Sequence, residues 1–518
     1  SSTGSLSEKV ADHCALVQEL FATPALRASR GVALRDGKLI GEGVELGEDV
    51  EIERGAAILG KSKILRGKVE EDAIVVDSVI REVMARSKSV LVNIEQLNDR
   101  KVVSENGQVL ADVLIMDGGI VKKVRVASAL ETLAEQTTAL VDGRRMTVDE
   151  IMKLSDFEAS YLGGYSSQFR RDLLDQPLRE LFPKSGVFTR LDGNPILEPI
   201  ASHAWESMLV YNPAAIRLDG ITYIVYRALG DDHTSRLGLA WSKDGLHVDG
   251  RLPHPIFTPR TEYELAGAEI LQTRPREKGG CEDPRLTLVG DRVYMTYSAY
   301  GSVLQIALAS ISKRDFSALP DTPAEGTTDK WTRYGPLFPG TLDRNAVLFP
   351  ERINGRYVLL RRPIRGEVRD IAISYSHTLE APWPDEFQVI MQARPGMWDS
   401  ERVGAGAQVL KTRHGWLLIY HGVGMIRGRR SYMLGTALLD LDDPAKILYR
   451  SPEPTFIPEQ DYELYGWAPN VVFANGAVAG GKNADQIVED DDEITIYYGG
   501  GDRVVGVAWA KLADLVGS

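Results

Sequence analysis

Residues 280–301 read GCEDPRLTLVGDRVYMTYSAYG. An acidic pair stands against a proline and an arginine, an apolar run follows, a Gly-Asp turn intervenes, and an aromatic-rich run returns. LQIALASISKRDF continues at 304–316 with small residues among aliphatic ones. This spells strand, turn, strand, loop, strand, and the same order recurs four times more. NPAAIRLDGITYIVYRALG (212–230) leads to SRLGLAWSKDG (235–245), and NAVLFPERINGRYVLLRRP (345–363) leads to IAISYSHTLE (371–380). GAQVLKTRHGWLLIYHGVG (406–424) leads to YMLGTALLDLDDP (432–444). NVVFANGAV (470–478) reaches DEITIYYGGGD (492–502) and VVGVAWAKLADL (504–515) through an acidic loop.

The first strands of the five units start at 212, 282, 345, 406 and 470. One such unit cannot bury both of its faces, so units of this kind stack radially around a central axis. The expected fold is mainly β, with a five-bladed β-propeller over 186–518. A sandwich does not explain five similar units, and a solenoid calls for a shorter period.

Upstream the pattern differs. Leu46, Ile52, Ile58 and Ile64 keep a six-residue beat within 32–127. That period suits neither a simple helix nor a hairpin. It suits a parallel β-helix with one aliphatic side chain per flat pointing inward, and the stretch resembles the left-handed β-helix of hexapeptide repeats. The beat covers two or three rungs, with ordinary strands as the alternative. Residues 128–185 read as a helical connector, with Thr147 and Asp149 near a helix start. Residues 1–31 remain an N-terminal segment.

A chain of 518 residues is long enough for two or three domains. A net charge of −13 makes it a poor binder of nucleic acid. Two cysteines, Cys14 and Cys281, make neither a disulfide framework nor a metal cluster, and favour a reducing, cytoplasmic setting. No apolar run is long enough to span a bilayer. SSTGSLSEKV lacks the charged-then-apolar form of a signal peptide, and SSTGS reads as a tag remnant or a point of truncation.

In a propeller, polar residues at strand ends on one mouth converge. Asn212, Asp283, Asn345 and Asn470 stand at first-strand starts, and Arg227, Arg361, Arg362, His421 and Asp502 lie just after the aromatic strands. Together with Asp232, Glu282, Arg285 and Tyr465 they form the expected substrate pocket. Amides and carboxylates suit sugar hydroxyls, and an aromatic face such as Tyr465 or Trp467 suits the C–H face of a sugar ring. Asn and Asp are equally turn residues, so the weight rests on the set rather than on any one member. Glu282, Asp283 and Arg285 read either as a turn tied by a salt bridge or as a general acid with its partners.

From about 195 to 515 the motifs VYNPAAI, IVYRALG, LGLAWSKDG, GCEDPRLTLVGDRVYMTYSAY, NAVLFPERINGRYVLLRRP, GWLLIYHGV, PNVVFANGAV and IYYGGGD resemble glycoside hydrolase family 130, the β-mannoside phosphorylases and related mannosidases. The first 185 residues stand outside this resemblance. It implies that Asp283 is the general acid, acting through a sugar hydroxyl, and a carboxyl buried beside another carboxylate keeps its proton more easily. Arg285 is expected to hold Glu282 ionised. Phosphate then attacks the anomeric carbon from the opposite face, giving α-mannose 1-phosphate from a β-mannoside. In a hydrolase, water activated by a carboxylate base replaces phosphate.

Phosphate needs fixed cations. The resemblance implies an anion site of Arg344, Arg361 and Arg362. Gln305 stands where the family's phosphorylases usually have an arginine, Arg344 where they have a lysine, and Arg361 where a histidine is frequent. Glu351 and Glu401 are the candidate bases of a hydrolase. The expected activity is inverting phosphorolysis of β-mannosides, or its reversal. Hydrolysis, another mannosyl transfer and glycan binding without turnover are the alternatives. Inorganic phosphate is the expected co-substrate, with no cofactor and no metal. The β-helix is a candidate surface for homo-oligomerisation. Hexapeptide domains also accompany sugar-nucleotide pyrophosphorylases, so an upstream domain making mannose donors is a further expectation.

Overall fold

The computed structural model describes residues 6–130, 133, 137–141, 144–155, 172–183, 186–266, 278–366 and 370–516. They fall into two units: Ser1–Lys184 with Met425–Arg429 and Glu459–Asp461, and Ser185–Gly424 with Arg430–Pro458 and Tyr462–Ser518.

The first unit is built on a parallel β-solenoid. Lys38–Gly41, Ala57–Leu59, Ile74–Val76, Val90–Val92 and Gln108–Asp117 stack as one sheet, parallel from rung to rung. Glu45–Ile52, Lys63–Val69 and Val79–Ala85 stack as a second. Ile58, Val75, Leu91, Ile64 and Ile80 fill the interior. Their neighbours Ala57, Leu59, Ile74, Val76, Val90 and Val92 point outward onto Leu6, Val10, Val17 and Leu20 of the helix Leu6–Ala22, as a two-residue side-chain period requires. The corners need left-handed backbone, which Asp and Asn tolerate. Asp72, Asp77 and Asn93 sit there at φ 59°, 46° and 57°. The solenoid therefore runs on past the end of the six-residue beat.

The helical connector expected over 128–185 is corrected where the structure describes it. Ile120–Ala129 is a strand, and Thr138–Val141 pairs antiparallel with Arg144–Thr147. The Asp-Gly pair between them in sequence is a hairpin signal, and Thr and Val favour strand over helix. The helix start near Thr147 is present. Val148–Ser155 is helical, and Thr147 and Glu150 exchange capping bonds of 2.8 and 3.2 Å. Residues 156–171 of that connector lie outside the described residues.

The second unit contains five antiparallel meanders. The first is Leu209–Leu218, Ile221–Leu229, Ser235–Ser242 and Gly250–Arg251, and the second is Gly280–Val289, Arg292–Tyr300, Leu304–Ser312 and Thr332–Pro336. The third is Asp343–Leu348, Tyr357–Pro363, Ile371–Ser376 and Gln388–Met391. The fourth comprises Arg402–Ala405 with Leu410–Lys411, Trp416–Ile426, Arg429–Leu439 and Ile447–Arg450. The fifth joins Val472–Ala479, Glu493–Gly500 and Val504–Lys511 to Thr189–Arg190, which comes from the start of the unit.

Apolar cores lie between neighbouring meanders: first and second around Phe257 and Met295, second and third around Leu308 and Leu359, fourth and fifth around Ile419 and Ile496. Phe349 packs edge-on to Trp416 at 5.3 Å between third and fourth. Tyr226, Ala215, Val478 and Val505 share a core between first and fifth. The small residues of the third strands have a direct cause. Tyr226 pairs with Gly238, Tyr297 with Ala307 and Tyr498 with Gly506. A Cβ at Gly238 would run into the Tyr226 ring.

Candidate active site

Four first strands break their ladder at an equivalent point. The register shifts between Tyr211 and Ala214, Glu282 and Arg285, Arg344 and Val347, and Ala474 and Gly476. A bulge leaves one residue unpaired and re-aims its side chain. In the first three meanders that residue is Asn212, Asp283 and Asn345, at φ 47°, 48° and 58°, a region that Asn and Asp enter at low cost. In the fifth it is Asn475, which the sequence reading passed over in favour of Asn470. Asn470 has φ 60° but precedes the strand, and its backbone carbonyl accepts from the Tyr432 amide. Asn475 is fully buried and donates to the Asn212 carbonyl at 3.2 Å.

The bulges gather an acidic cluster. Asn212 donates to Asp283 at 2.9 Å. Arg227 donates to Glu282 at 2.7 Å and to Asp283 at 3.3 Å, and lies 4.7 Å over the Tyr211 ring. Ser235 donates to Glu282 at 3.2 Å. Burial raises Glu282, and Asp283 beside it adds to the rise against the pull of Arg227. Burial also acts on Asp283, but Arg227, the Asn212 amide, Arg285 and Arg344 outweigh it and hold that carboxyl below its ordinary value. Asp502, at φ 50°, is pushed up to about 7 by burial and by Asp283 and Glu282. The shift of Asp283 thus runs opposite to the one expected, and it is Glu282 and Asp502 that are raised. The expectation counted the second carboxylate and missed the cations on the other side.

Arg285 does not hold Glu282. It is buried and donates to the carbonyls of Asp283, Ala405 and Gly406 at 3.0, 3.1 and 2.9 Å. It thus ties the bulge of the second meander to the fourth, and burial lowers it to about 10. Arg227 is the partner that the acidic pair uses.

A cationic cluster adjoins. Arg344 is exposed and sits opposite Arg362 in the ladder. Arg362 is buried, and burial together with Arg344, Arg402 and Arg285 lowers it to about 10. It donates to His421 Nε2 at 3.2 Å. A guanidinium only donates, so the proton of the neutral imidazole stands on Nδ1. Burial and the arginines around it hold His421 well below the usual histidine range. His421 Nδ1, Arg402 Nε and the Oδ1 atoms of Asn212 and Asn345 are buried without partners among the described residues. Arg344, Arg362 and Arg402 form no salt bridge with a carboxylate among the described residues. Gly499 and Gly404 keep space over the orphan amides. A Cβ would stand 2.5 Å from Asn212 Oδ1 in one case and 2.9 Å from Asn345 Oδ1 in the other. Buried polar atoms are paired as a rule, and these orphan atoms and unpaired guanidinium groups could accept hydroxyls and an anion from outside.

Other residues named from sequence are held by other partners. Arg361 is fully buried and donates to Asp343 at 2.8 Å, Asp385 at 2.9 Å and Ser374 at 3.0 Å. Its charge is spent on carboxylates, and it points to the face of the strand opposite Arg362. Asp232 sits in a turn and pairs with Arg236 at 2.6 Å. Tyr465 is buried, with its carbonyl against Gly501 and its ring closed off from solvent, whereas Trp467 is half-buried. Glu351 pairs with Lys411 at 2.7 Å and lines a separate cavity of about 250 Å³ with Ile216, Leu286 and Gln408. It lies six residues along the chain from Asn345, about 20 Å for extended chain. Glu401 pairs with Arg430 at 2.6 Å. Gln305 accepts from the Gly340 amide at 3.0 Å. Arg402 and Asn475 were missed. The signal for Arg402 was its place two residues before a Gly-Ala-Gly run that has no side chain of its own to reach the pocket.

The profile of glycoside hydrolase family 130, described as beta-1,4-mannooligosaccharide phosphorylase, matches residues 188–517. The chain belongs to glycoside hydrolase family 130. Within that family it is 36% identical to a 1,2-beta-oligomannan phosphorylase of Thermoanaerobacter sp. (strain X514), over 63% of this chain and 98% of the relative. A beta-1,2-mannobiose phosphorylase of the same strain is 33% identical over 62% of this chain and 96% of its own length. The solved beta-1,2-mannobiose phosphorylase of Listeria innocua, in complex with beta-1,2-mannobiose, matches with TM-score 0.51 and 25% identity over 63% of this chain and 98% of that one. The family region leaves the solenoid unit unmatched.

Proposed function

We propose that the protein is an inverting phosphorylase of β-mannosides, and that the β-1,2 linkage named for the relatives is its substrate class. The observation that carries the reading is the group of Arg344, Arg362 and Arg402, of which Arg344 also acts on Asp283, with no carboxylate salt-bridged to them among the described residues. Clustered guanidinium groups fit phosphate in fork geometry. A hydrolase needs a base for water, and the two candidates, Glu351 and Glu401, are each held in an ion pair.

The five meanders act as the blades of a propeller. Support comes from the core shared by the first and fifth and from the N-terminal strand completing the fifth. On this architecture the bulges face one mouth. Asn212, Asn345, Asn475 and Asp502 take sugar hydroxyls. Asp283 delivers the proton to the departing glycosidic oxygen. Phosphate on Arg344, Arg362 and Arg402 attacks the anomeric carbon from the other face, and the C–O bond to the leaving sugar breaks. Bound phosphate offsets the arginine charge that keeps Asp283 ionised, which raises its affinity for the proton it must donate. Neutral His421 donates through Nδ1 and adds no charge.

The test is incubation with β-1,2-, β-1,3- and β-1,4-mannobiose, with and without inorganic phosphate, reading mannose 1-phosphate against free mannose. Mannose 1-phosphate formed only with phosphate, from the β-1,2 substrate, is expected. Free mannose released without phosphate overturns the reading in favour of hydrolysis.

A further inference from the structure

Four of the five meanders share one buried device. A second-strand tyrosine donates to an acid: Tyr226 to Glu206 at 2.8 Å, Tyr297 to Glu264 at 2.6 Å, Tyr420 to Asp399 at 3.0 Å and Tyr498 to Glu463 at 2.8 Å. An arginine of the fourth strand pairs with the same acid: Arg251, Arg333, Arg450 and Arg190 respectively. The third meander departs. Its tyrosine position is Arg361, directly before Arg362 as Tyr226 is before Arg227 and Tyr420 before His421. The charges are inverted there: the arginine is central and the acids, Asp343 and Asp385, stand on either side. Arg361 also lies 3.6 Å over the Phe338 ring.

The inversion puts an acid next to the anion site. Asp343 is fully buried and does two things: it takes Arg361 Nη1 at 2.8 Å and accepts the Arg344 backbone N–H at 2.8 Å. The ladder is interrupted close by. The Ile364 amide donates to the Leu342 carbonyl at 2.9 Å on one side, and on the other the register breaks just after Arg344. The Asp343 side chain adds a hold on the backbone at the point where the ladder is interrupted.

We propose that the Asp343–Arg361 pair is a positioning device for phosphate, fixing the backbone at Arg344 so that its guanidinium stays aimed at the anion. This deepens the phosphorylase reading and rests on Arg344 meeting phosphate. Arg361 itself touches no substrate. Its service is to keep Asp343 charged and in place.

The experiment uses the full chain. Inorganic phosphate binding is measured by calorimetry, and initial rates are measured against phosphate and against β-1,2-mannobiose separately. Asp343→Ala is expected to weaken phosphate binding and raise the KM for phosphate by about tenfold, with the KM for mannobiose within about twofold of the parent. Asp343→Asn keeps an acceptor for the Arg344 amide and is expected to recover most of the phosphate affinity. Added to Arg344→Ala, Asp343→Ala is expected to cost nothing more. Phosphate affinity unchanged in Asp343→Ala, or both KM values rising together, overturns the proposal. If Asp343→Ala does not fold, the pair Asp343→Asn and Arg361→Gln decides it by the same split. A parent protein that binds no phosphate sinks the phosphorylase reading itself, whereas a parent that binds it and variants that bind it equally well sink only the positioning role.

Discussion

Asp283, Glu282 and Asp502 show how three carboxyls of one pocket acquire different work from their neighbours alone. Against its burial, Arg227 and Asn212 hold Asp283 below the usual carboxylate range, while burial pushes Asp502 up to about 7. Asp283→Asn keeps the shape and removes the proton; kcat is expected to fall by about 10² to 10⁴, read as mannose 1-phosphate release. Asp502 gives a pH signature. Its folded value lies above the unfolded one, so its contribution to stability is complete at low pH and is lost as pH rises toward 7. The melting temperature of Asp502→Asn relative to the parent is therefore expected to climb between pH 4 and 7 and to level off above. A flat difference across that range would mean that Asp502 is not held protonated. The residue types of this cluster were legible in the motif at 282–285. Their protonation was not, because the cations that set it come from positions 227 and 344.

At the scale of the element, two periodicities decide the site. Strand alternation sends Arg362 to the pocket and Arg361 to the Tyr position on the other face, although the two adjoin in sequence. The bulge then turns Asn212, Asp283 and Asn345 out of their ladders. Gly404 keeps the space that this creates. Gly404→Ala is expected to lower kcat/KM by about tenfold to a hundredfold through overpacking on Asn345 and His421, with a melting temperature close to the parent's. The tyrosine clamps are the structural counterpart. Tyr297→Phe removes one donor from fully buried Glu264 and is expected to cost about 1–3 kcal/mol, read as a lower melting temperature with KM unchanged.

At the scale of the whole molecule, residues far apart in the chain close the catalytic unit. Thr189–Arg190 completes the fifth meander, and Arg190 meets Glu463, 273 positions on, at 2.8 Å while covering the Phe456 ring at 4.1 Å. Arg190→Met takes the guanidinium from a fully buried carboxylate and is expected to destabilise by about 3–5 kcal/mol, seen in thermal unfolding. The same change at Arg66, which is half-exposed against Glu82, is expected to cost under about 1 kcal/mol. Equal effects at the two sites would mean that the fifth meander does not depend on this pair. The solenoid unit has its own logic, a hydrophobic interior and a helix-covered outer face.

Read along the chain, local pattern settled a good deal about this protein. It determined the five meanders, the stacked rungs before them and the family, because each is written in residues a few positions apart: alternation, turn pairs and the Glu-Asp-Pro-Arg motif. The hairpin at 138–147 was equally local, but its Asp-Gly signal lost to a helical composition. Only the tertiary structure decided which arginines are free of carboxylates among the described residues, why Asn475 and not Asn470 occupies the fifth bulge, and which carboxyls are raised or lowered. Those outcomes depend on register, on which face of a strand a side chain takes, and on charges that arrive from other meanders. A pKa or a salt bridge is set within a few ångströms of space, and sequence distance carries no information about it.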